Sequence, residues 1–385
     1  MNLLLKLFNV KQLILVTLFL PITLLSSNCY ADIIKSELHT FNVQAVAKGL
    51  SHPWSLAFLP NGDMLVTERI GQLRLIQNNK LVDQPIAGLP EIRQRGQGGL
   101  MDIALHADFA SNQIIYLSYA GKAEGGFSTE VLRARLVDQQ LLDVKVIFRA
   151  LPKSSGGRHF GGRLLFSKDG HLFISLGDRG DRPRAQDLND HAGSLIRIHE
   201  DGEIPSDNPL VGQELAKPEI YSYGHRNIQG LSQHPDNEEI WLHEHGPQGG
   251  DEINIVQSGS NYGWPEITYG VNYVVGTKIG IGTQKKGLEQ PLYHWTPSIA
   301  PSGMTFYNGN EFPQWQDHLF VGSLKFGLLL RLVIKDHEVV HEERMLDKKY
   351  GRIRDVRQGL DGALYLLTDE KRGAILRLSN ANKDQ

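Results

Sequence analysis

The feature that most narrows the fold of this chain is a recurring unit, a turn rich in Pro, Asn, Asp and Gly followed by a short alternating strand and often by a second turn and strand. It occurs as Pro60-Asn61-Gly62-Asp63 ahead of residues 64–68 and 72–76, as residues 106–112 ahead of 113–119, and as Lys168-Asp169-Gly170 ahead of 171–176. It returns as residues 234–237 ahead of 239–243, as 315–318 ahead of 319–322, and as Leu360-Asp361-Gly362 ahead of 363–368. Runs of Val, Ile, Leu, Phe and Tyr between such turns are a strand signature, and sustained helical periodicity is nearly absent. Six copies at spacings of about 45 to about 81 residues suit the radial sheets of an all-β, six-bladed β-propeller with insertions in some loops. A ring also protects strand edges without covalent staples. A sandwich or solenoid of similar strands is the rival architecture.

The N-terminus reads differently. Lys6 and Lys11 precede an apolar run from Leu13 to Leu25, and Cys29-Tyr30-Ala31 offers small residues at the spacing of a signal-peptidase site. Residues 1–31 are therefore expected to be a cleaved secretory signal, with 32–385 a single propeller domain exported to the periplasm. The run is shorter than the roughly 20 residues a helical span needs. An uncleaved anchor and lipidation at Cys29 are the alternatives. Cys29 is the only cysteine, so cleavage leaves no thiol for a disulfide or thiolate metal site. The formal charge of −3 becomes about −5 without Lys6 and Lys11, which argues against nucleic acid as a partner. No later stretch is apolar enough to span a membrane.

Propellers bind ligands at one mouth of the central channel, so polar residues in Gly-rich connections are the candidates. The segments that stand out are residues 95–99, 158–163, 224–230 and 244–252, then Gly322-Ser323-Leu324-Lys325 and Arg352-Ile353-Arg354-Asp355. Adjacent glycines let backbone approach a ligand closely. If Arg226, Lys325, Arg352 and Arg354 converge, they form a cationic pocket that requires an anionic partner. If they do not, they are solvated or ion-paired surface residues. Strand alternation puts Arg352 and Arg354 on one face.

In this order, the segments resemble the soluble quinoprotein sugar dehydrogenases that use pyrroloquinoline quinone (PQQ), within the glucose/sorbosone dehydrogenase family, and most of all its periplasmic aldose sugar dehydrogenases. The resemblance covers residues 49–378. It is carried by Gly96-Gln97-Gly98-Gly99-Leu100, His159-Phe160-Gly161-Gly162-Arg163-Leu164, residues 223–230, residues 244–262 with Asn261-Tyr262-Gly263-Trp264-Pro265, and residues 352–356. It implies a six-bladed propeller that oxidises the C1 hydroxyl of an aldose to the lactone by hydride transfer to PQQ. It implies His159 as catalytic base and Arg226 as stabiliser of the charge growing on the quinone oxygen. Gln97, Arg226, Asn227, Lys325, Arg352 and Arg354 match quinone-holding positions, with Tyr273 in a looser region. Gly246 and Pro247 match carbonyl ligands of a Ca²⁺ beside the quinone. Glu252 and the Tyr262 carbonyl match a separate structural Ca²⁺ site, with Asp251 in support. A tricarboxylate suits several cations, and Ca²⁺ prefers oxygen donors.

Departures accompany the match. Ile228 stands where relatives commonly carry Pro, and Arg158 beside His159 is a further difference whose effect is open, though a cation next to the base would lower its pKa. His225, His243 and His245 lack metal-ligand spacing and read as polar residues of the mouth or its supporting layer. Residues 270–289 are expected to vary with the substrate, which leaves the preferred sugar open. The electron acceptor and the choice between monomer and homodimer are open too. Two other classes remain at this stage, a calcium-dependent propeller lactonase and a non-catalytic binding propeller.

Overall fold

A computed structural model describes residues 32–383, so the predicted signal at residues 1–31 lies outside the described residues. Six antiparallel sheets follow one another along the chain. Blade 1 comprises strands Pro53–Phe58, Met64–Glu68, Gln72–Gln77 and Lys80–Leu81, and blade 2 comprises Leu100–Leu105, Ile114–Ala123, Gly126–Val137 and Gln140–Arg149. Blade 3 holds Leu164–Phe166, Leu172–Ser175, Leu195–Ile198 and Ile220–Ser222; blade 4 holds Ile228–Gln233, Ile240–Glu244, Asp251–Ile255 and Tyr293–Trp295. Blade 5 is Pro301–Phe306, Leu319–Ser323, Leu329–Lys335 and Glu338–Met345. Blade 6 takes Ile353–Gln358, Leu364–Thr368 and Gly373–Asn380 from the C-terminal end, then Thr40–Leu50 and Asp32–Lys35 from the N-terminal end. Pairing of Phe41 with Asn380 through Leu50 with Gly373 closes the ring.

All six predicted turns fall at the same place, between the first and second strands of their blades. Their strands differ from expectation in one respect. Met64–Glu68, Ile240–Glu244 and Leu319–Ser323 are buried at every residue instead of alternating. Each blade is covered on both faces by its neighbours, so neither face of these strands meets water. The apolar core is accordingly a set of seams. Leu65, Leu73, Leu100 and Leu117 fill the seam between blades 1 and 2; Tyr116, Leu164 and Ile196 that between 2 and 3; Phe173, Ile228 and Leu242 that between 3 and 4. Trp241, Phe306 and Leu319 join blades 4 and 5; Phe320, Ile353 and Phe41 join 5 and 6; Leu367, Leu56 and Val66 join 6 and 1.

The first strands meet in a buried charge network around Arg163 of blade 3. Its Nη1 lies 2.8 Å from Asp355 of blade 6 and 3.7 Å from Asp102 of blade 2. Its Nε donates to the Gln229 carbonyl of blade 4 (2.8 Å), its Nη2 to the Arg354 carbonyl of blade 6 (3.1 Å), and its guanidinium lies 4.2 Å from the ring centre of Trp54 in blade 1. Arg357 also reaches Asp102 and Asp355, each at 2.9 Å, and Ser55 donates to Asp102. Removing one member of such a cluster strands the others without compensation. Replacing Arg163 with Leu is expected to lower unfolding free energy by about 3–5 kcal/mol in urea titration. Adding Asp355→Leu should recover part of the loss, and a loss under about 1 kcal/mol for the single change would contradict this account.

Candidate active site

Connections that lead into the first strands of blades 2, 3, 4 and 6 bring together Gln97, His159, Arg226, Asn227, Arg352 and Arg354 at one end of the ring. An inner pocket is lined by Trp54, Gln97, Asn227, Arg352 and Arg354, among others. Over it opens a basin with Gln97, Pro247, Tyr273, Lys325 and Arg352 in its walls. Six of the seven predicted quinone contacts thus converge on one continuous recess; Arg226 is buried beside it and does not line it. Arg352 and Arg354 both reach the inner pocket, as their alternation implied.

His159 sits beside this recess in the left-handed region (φ 49°), its N–H held by the Gln97 side-chain carbonyl at 2.8 Å. The close packing is enforced by Gly177, where an added Cβ would lie 2.5 Å from the His159 carbonyl oxygen. Nδ1 of His159 is 2.5 Å from Asp178 Oδ1, which also accepts from the Gly180 N–H (2.7 Å). The other carboxylate oxygen accepts from the Trp264 indole N–H at 2.8 Å. Burial opposes ionisation of Asp178, but the His159 hydrogen bond, the Gly180 N–H and Arg226 outweigh it and hold the carboxyl below its ordinary pKa. Burial pushes the His159 pKa down, Asp178 opposes that, and Arg226 and Arg179 reinforce it. An ionised Asp178 therefore accepts a hydrogen bond from Nδ1–H, which leaves neutral His159 with Nε2 as an acceptor. Asp178 lay beyond the strand predicted at 171–176 and had no motif to mark it. The Arg158 side chain is exposed, and the cations that depress His159 are Arg226 and Arg179.

Arg226 is buried, donates to the His245 carbonyl (3.0 Å) and lies 5.4 Å from the ring centre of Trp264. No carboxylate pairs with its guanidinium among the described residues, and the same holds for exposed Lys325. Arg354 donates to Gln229 (2.9 Å), and burial together with Arg163 pushes its pKa down to about 9. Its Nε and that of Arg69 in the same pocket are buried without hydrogen-bond partners. Arg352 is the compensated member, 3.1 Å from Asp369. Asn227 accepts from the Gly161 N–H at 3.1 Å. The recess thus carries more positive charge and more unmet N–H donors than its own carboxylates satisfy, a setting for a planar polyanion.

The expected metal positions lie in blade 4. Tyr273 donates its hydroxyl to the Pro247 carbonyl at 2.9 Å, which anchors an otherwise exposed side chain beside the basin. Gly246 is confined, since an added Cβ would lie 2.1 Å from the Gly250 carbonyl oxygen. Glu252 pairs across the sheet with Glu244, and burial plus that neighbour raises its pKa well above the ordinary value. Glu244 in turn holds His225 (2.8 Å), which stacks 4.5 Å from Tyr262. The facing carboxyl groups of Glu244 and Glu252 are hard oxygen donors of the kind Ca²⁺ prefers, but among the described residues no three Asp, Glu, His or Cys side chains are gathered to hold a metal ion. Asp251 is not free to assist: its oxygens accept from the backbone of Gly246, Ile299 and Ala300 and from Ser298. Of the three histidines, His245 reaches the recess, while His225 and His243 are fully buried beneath it. Ile228 fills the seam between blades 3 and 4.

A six-bladed propeller with a cationic recess and a carboxylate-oriented imidazole beside it can hold a polyanionic ligand next to a general base. The profile of the family described as glucose/sorbosone dehydrogenase matches residues 50–377, and the chain belongs to that family. Aldose sugar dehydrogenase YliI of Escherichia coli is 46% identical over 360 residues, covering 92% of this chain and 97% of the relative. The crystal structure of the soluble aldose sugar dehydrogenase from E. coli in its apo form superposes with a TM-score of 0.86 at 47% identity, over 88% of this chain and 99% of that one. The PQQ-bound aldose sugar dehydrogenase of Streptomyces coelicolor does so at 0.73 and 29% identity, over 88% and 98%.

Burial also makes the fold acid-sensitive. His39, His159, His243 and His294 have pKa values below the ordinary one, with His245 at about 3 and His318 at about 4, burial being the largest cause in each. The folded chain keeps these rings neutral while the unfolded chain protonates them below about pH 6.5, so stability is full above that value and drains as pH falls through it. The urea midpoint of metal-free protein should fall steadily from pH 7.5 to 5, and less steeply in His318→Gln. A flat profile would contradict the burial of neutral imidazoles.

Proposed function

We propose that this chain oxidises the anomeric hydroxyl of aldose sugars to lactones with PQQ and Ca²⁺, after export to the periplasm. The observation that carries the reading is the single recess in which Gln97, Tyr273, Lys325, Arg352 and Arg354 surround space beside a base with a free Nε2. PQQ, when bound, supplies the two-electron acceptor for the C1 hydride. Lys325, Arg352 and Arg354 would neutralise its carboxylates, with Gln97, Asn227 and Tyr273 as polar contacts. The carbonyls of Gly246 and Pro247 would hold the neighbouring Ca²⁺, and Glu252 with the Tyr262 carbonyl a structural one.

His159 Nε2 takes the proton of the sugar hydroxyl, and Asp178 stabilises the imidazolium that results. Arg226, whose guanidinium meets no carboxylate among the described residues, donates toward the oxygen on which negative charge develops. The sugar loses one proton and one hydride and closes its C1–O double bond, giving the lactone. An external acceptor of unknown identity must then remove the electrons. Val271 and Tyr273 of the segment 270–289 line the basin, and we assign sugar preference to this segment. A lactonase built on an axial carboxylate cage fits less well, because Asp102 and Asp355 are consumed by Arg163 and Arg357. The export step rests on residues 1–31; among the described residues no helix is long and apolar enough to cross a membrane.

Purified apoprotein given PQQ and Ca²⁺ should reduce an artificial dye with aldoses, and should do so only with both additions. Activity without PQQ, or none with both present across a panel of aldoses, would refute the assignment. His159→Ala is expected to keep PQQ uptake by absorbance titration while losing about 10²- to 10⁴-fold in kcat. Equal loss of uptake and turnover would remove His159 from the role of base.

A further inference from the structure

The Asn261-Tyr262-Gly263-Trp264-Pro265 segment is one of the sequence's most specific stretches, yet the reaction outlined above gives Trp264 no task. Its placement is tightly determined. The backbone N–H donates to the Gly224 carbonyl (2.8 Å), the carbonyl accepts from Gln186 (2.7 Å), and the ring packs with Ala185 and Ile279. The indole N–H is the donor to Asp178 Oδ2, the oxygen that His159 does not use. The ring lies 5.4 Å from the Arg226 guanidinium and 5.5 Å from that of Arg182, whose other end donates to Asn272 at 2.7 Å. Oδ1 of Asp178 is held by His159 and Gly180, so Trp264 is the group that stops the carboxylate from turning about its Cβ–Cγ bond.

We propose that Trp264 is a positioning residue that fixes the base and its charge-stabilising partner relative to each other, through its N–H on Asp178 and its ring beside Arg226. Its effect on rate rests on the reaction proposed above; its effect on His159 does not. The groups facing His159 are Asp178, Arg226, Arg179 and His245, and of these Trp264 meets both Asp178 and Arg226. A freed carboxylate no longer orients the imidazole, and small misplacements of a base are costly in rate.

Trp264→Phe keeps a ring beside Arg226 and removes the donor. With PQQ uptake and KM near parental, its kcat should fall by about 10- to 100-fold, and the Nδ1–H resonance of His159 should exchange faster with water. Trp264→His restores an N–H at this place and should recover part of both signals. The nuclear magnetic resonance reading needs no turnover, so failure of the sugar reaction in the parent would leave the test of Trp264 intact. Parental kcat together with an unchanged His159 signal in Trp264→Phe would overturn the proposal, as would equal loss of PQQ uptake and kcat. If Trp264→Phe does not fold, Trp264→His decides: a His159 signal and kcat close to parental support the role, and parental PQQ uptake with a lost signal overturns it.

Discussion

Everything at the functional end of this ring depends on how Arg163 closes its centre. Six sheets packed side by side leave an axial gap where the first strands meet, and apolar seams between blades do not fill it. Arg163 reaches from blade 3 to carbonyls and carboxylates of blades 2, 4 and 6 and to the Trp54 ring of blade 1. The charges are matched inside: Asp102 and Asp355 face Arg163 and Arg357. Burial alone would keep Asp355 protonated, yet the two arginines hold its pKa below the ordinary value. Such a network does not necessarily stabilise more than apolar packing would. What it does here is set the angular register of strands whose next residues form the recess.

The compensation stops one layer further out. Arg354 stacks on the same Trp54 ring as Arg163, at 4.2 Å, but carries an unmet Nε, and among the described residues Lys325 and Arg226 have no carboxylate of their own. Positive charge is thus neutralised on the axis and left in excess at the mouth. The same protein needs both arrangements, since a pocket that satisfied its own cations would have no affinity left for an anionic disc, and an axis that did not would repel its own strands. The short step from Asp355 to Arg354 along one strand marks the boundary.

How much of this was legible in the sequence follows from how local each signal is. The six turns were found because Pro, Asn, Asp and Gly encode a reversal within a few residues, and each marks the same hairpin of its blade. Ring closure by residues 40–50 had no such mark, because it pairs chain ends more than three hundred residues apart. Strand alternation misled for the same reason: burial on both faces comes from neighbouring blades, not from the strand itself. At the site, cations in Gly-rich connections and the match to a family pointed to His159, Arg226 and the recess. Asp178 and Trp264 were missed as a pair since 86 positions separate them, and neither type in isolation suggests a hydrogen bond to the other. The effect of Arg158 was open in the sequence because adjacency along the chain does not place side chains together: His159 turns its ring onto Asp178 while Arg158 stays exposed.

Blade 4 carries an unusual share of the chemistry, and this has a mechanical meaning. Its lead-in segment and first two turns bear Arg226, Asn227, His245 and the 246–247 turn, and its third strand bears Asp251 and Glu252. Asp251 fastens that turn to residues 298–300 at the start of blade 5, and the His245 Nε2–H donates to the Pro301 carbonyl at 2.6 Å. Glu244 holds the Arg226 backbone N–H at 2.5 Å while facing Glu252 across the sheet. Glu244 also holds His225 at 2.8 Å, so one buried carboxylate ties the neighbouring strands of this sheet to the strand end that aims Arg226.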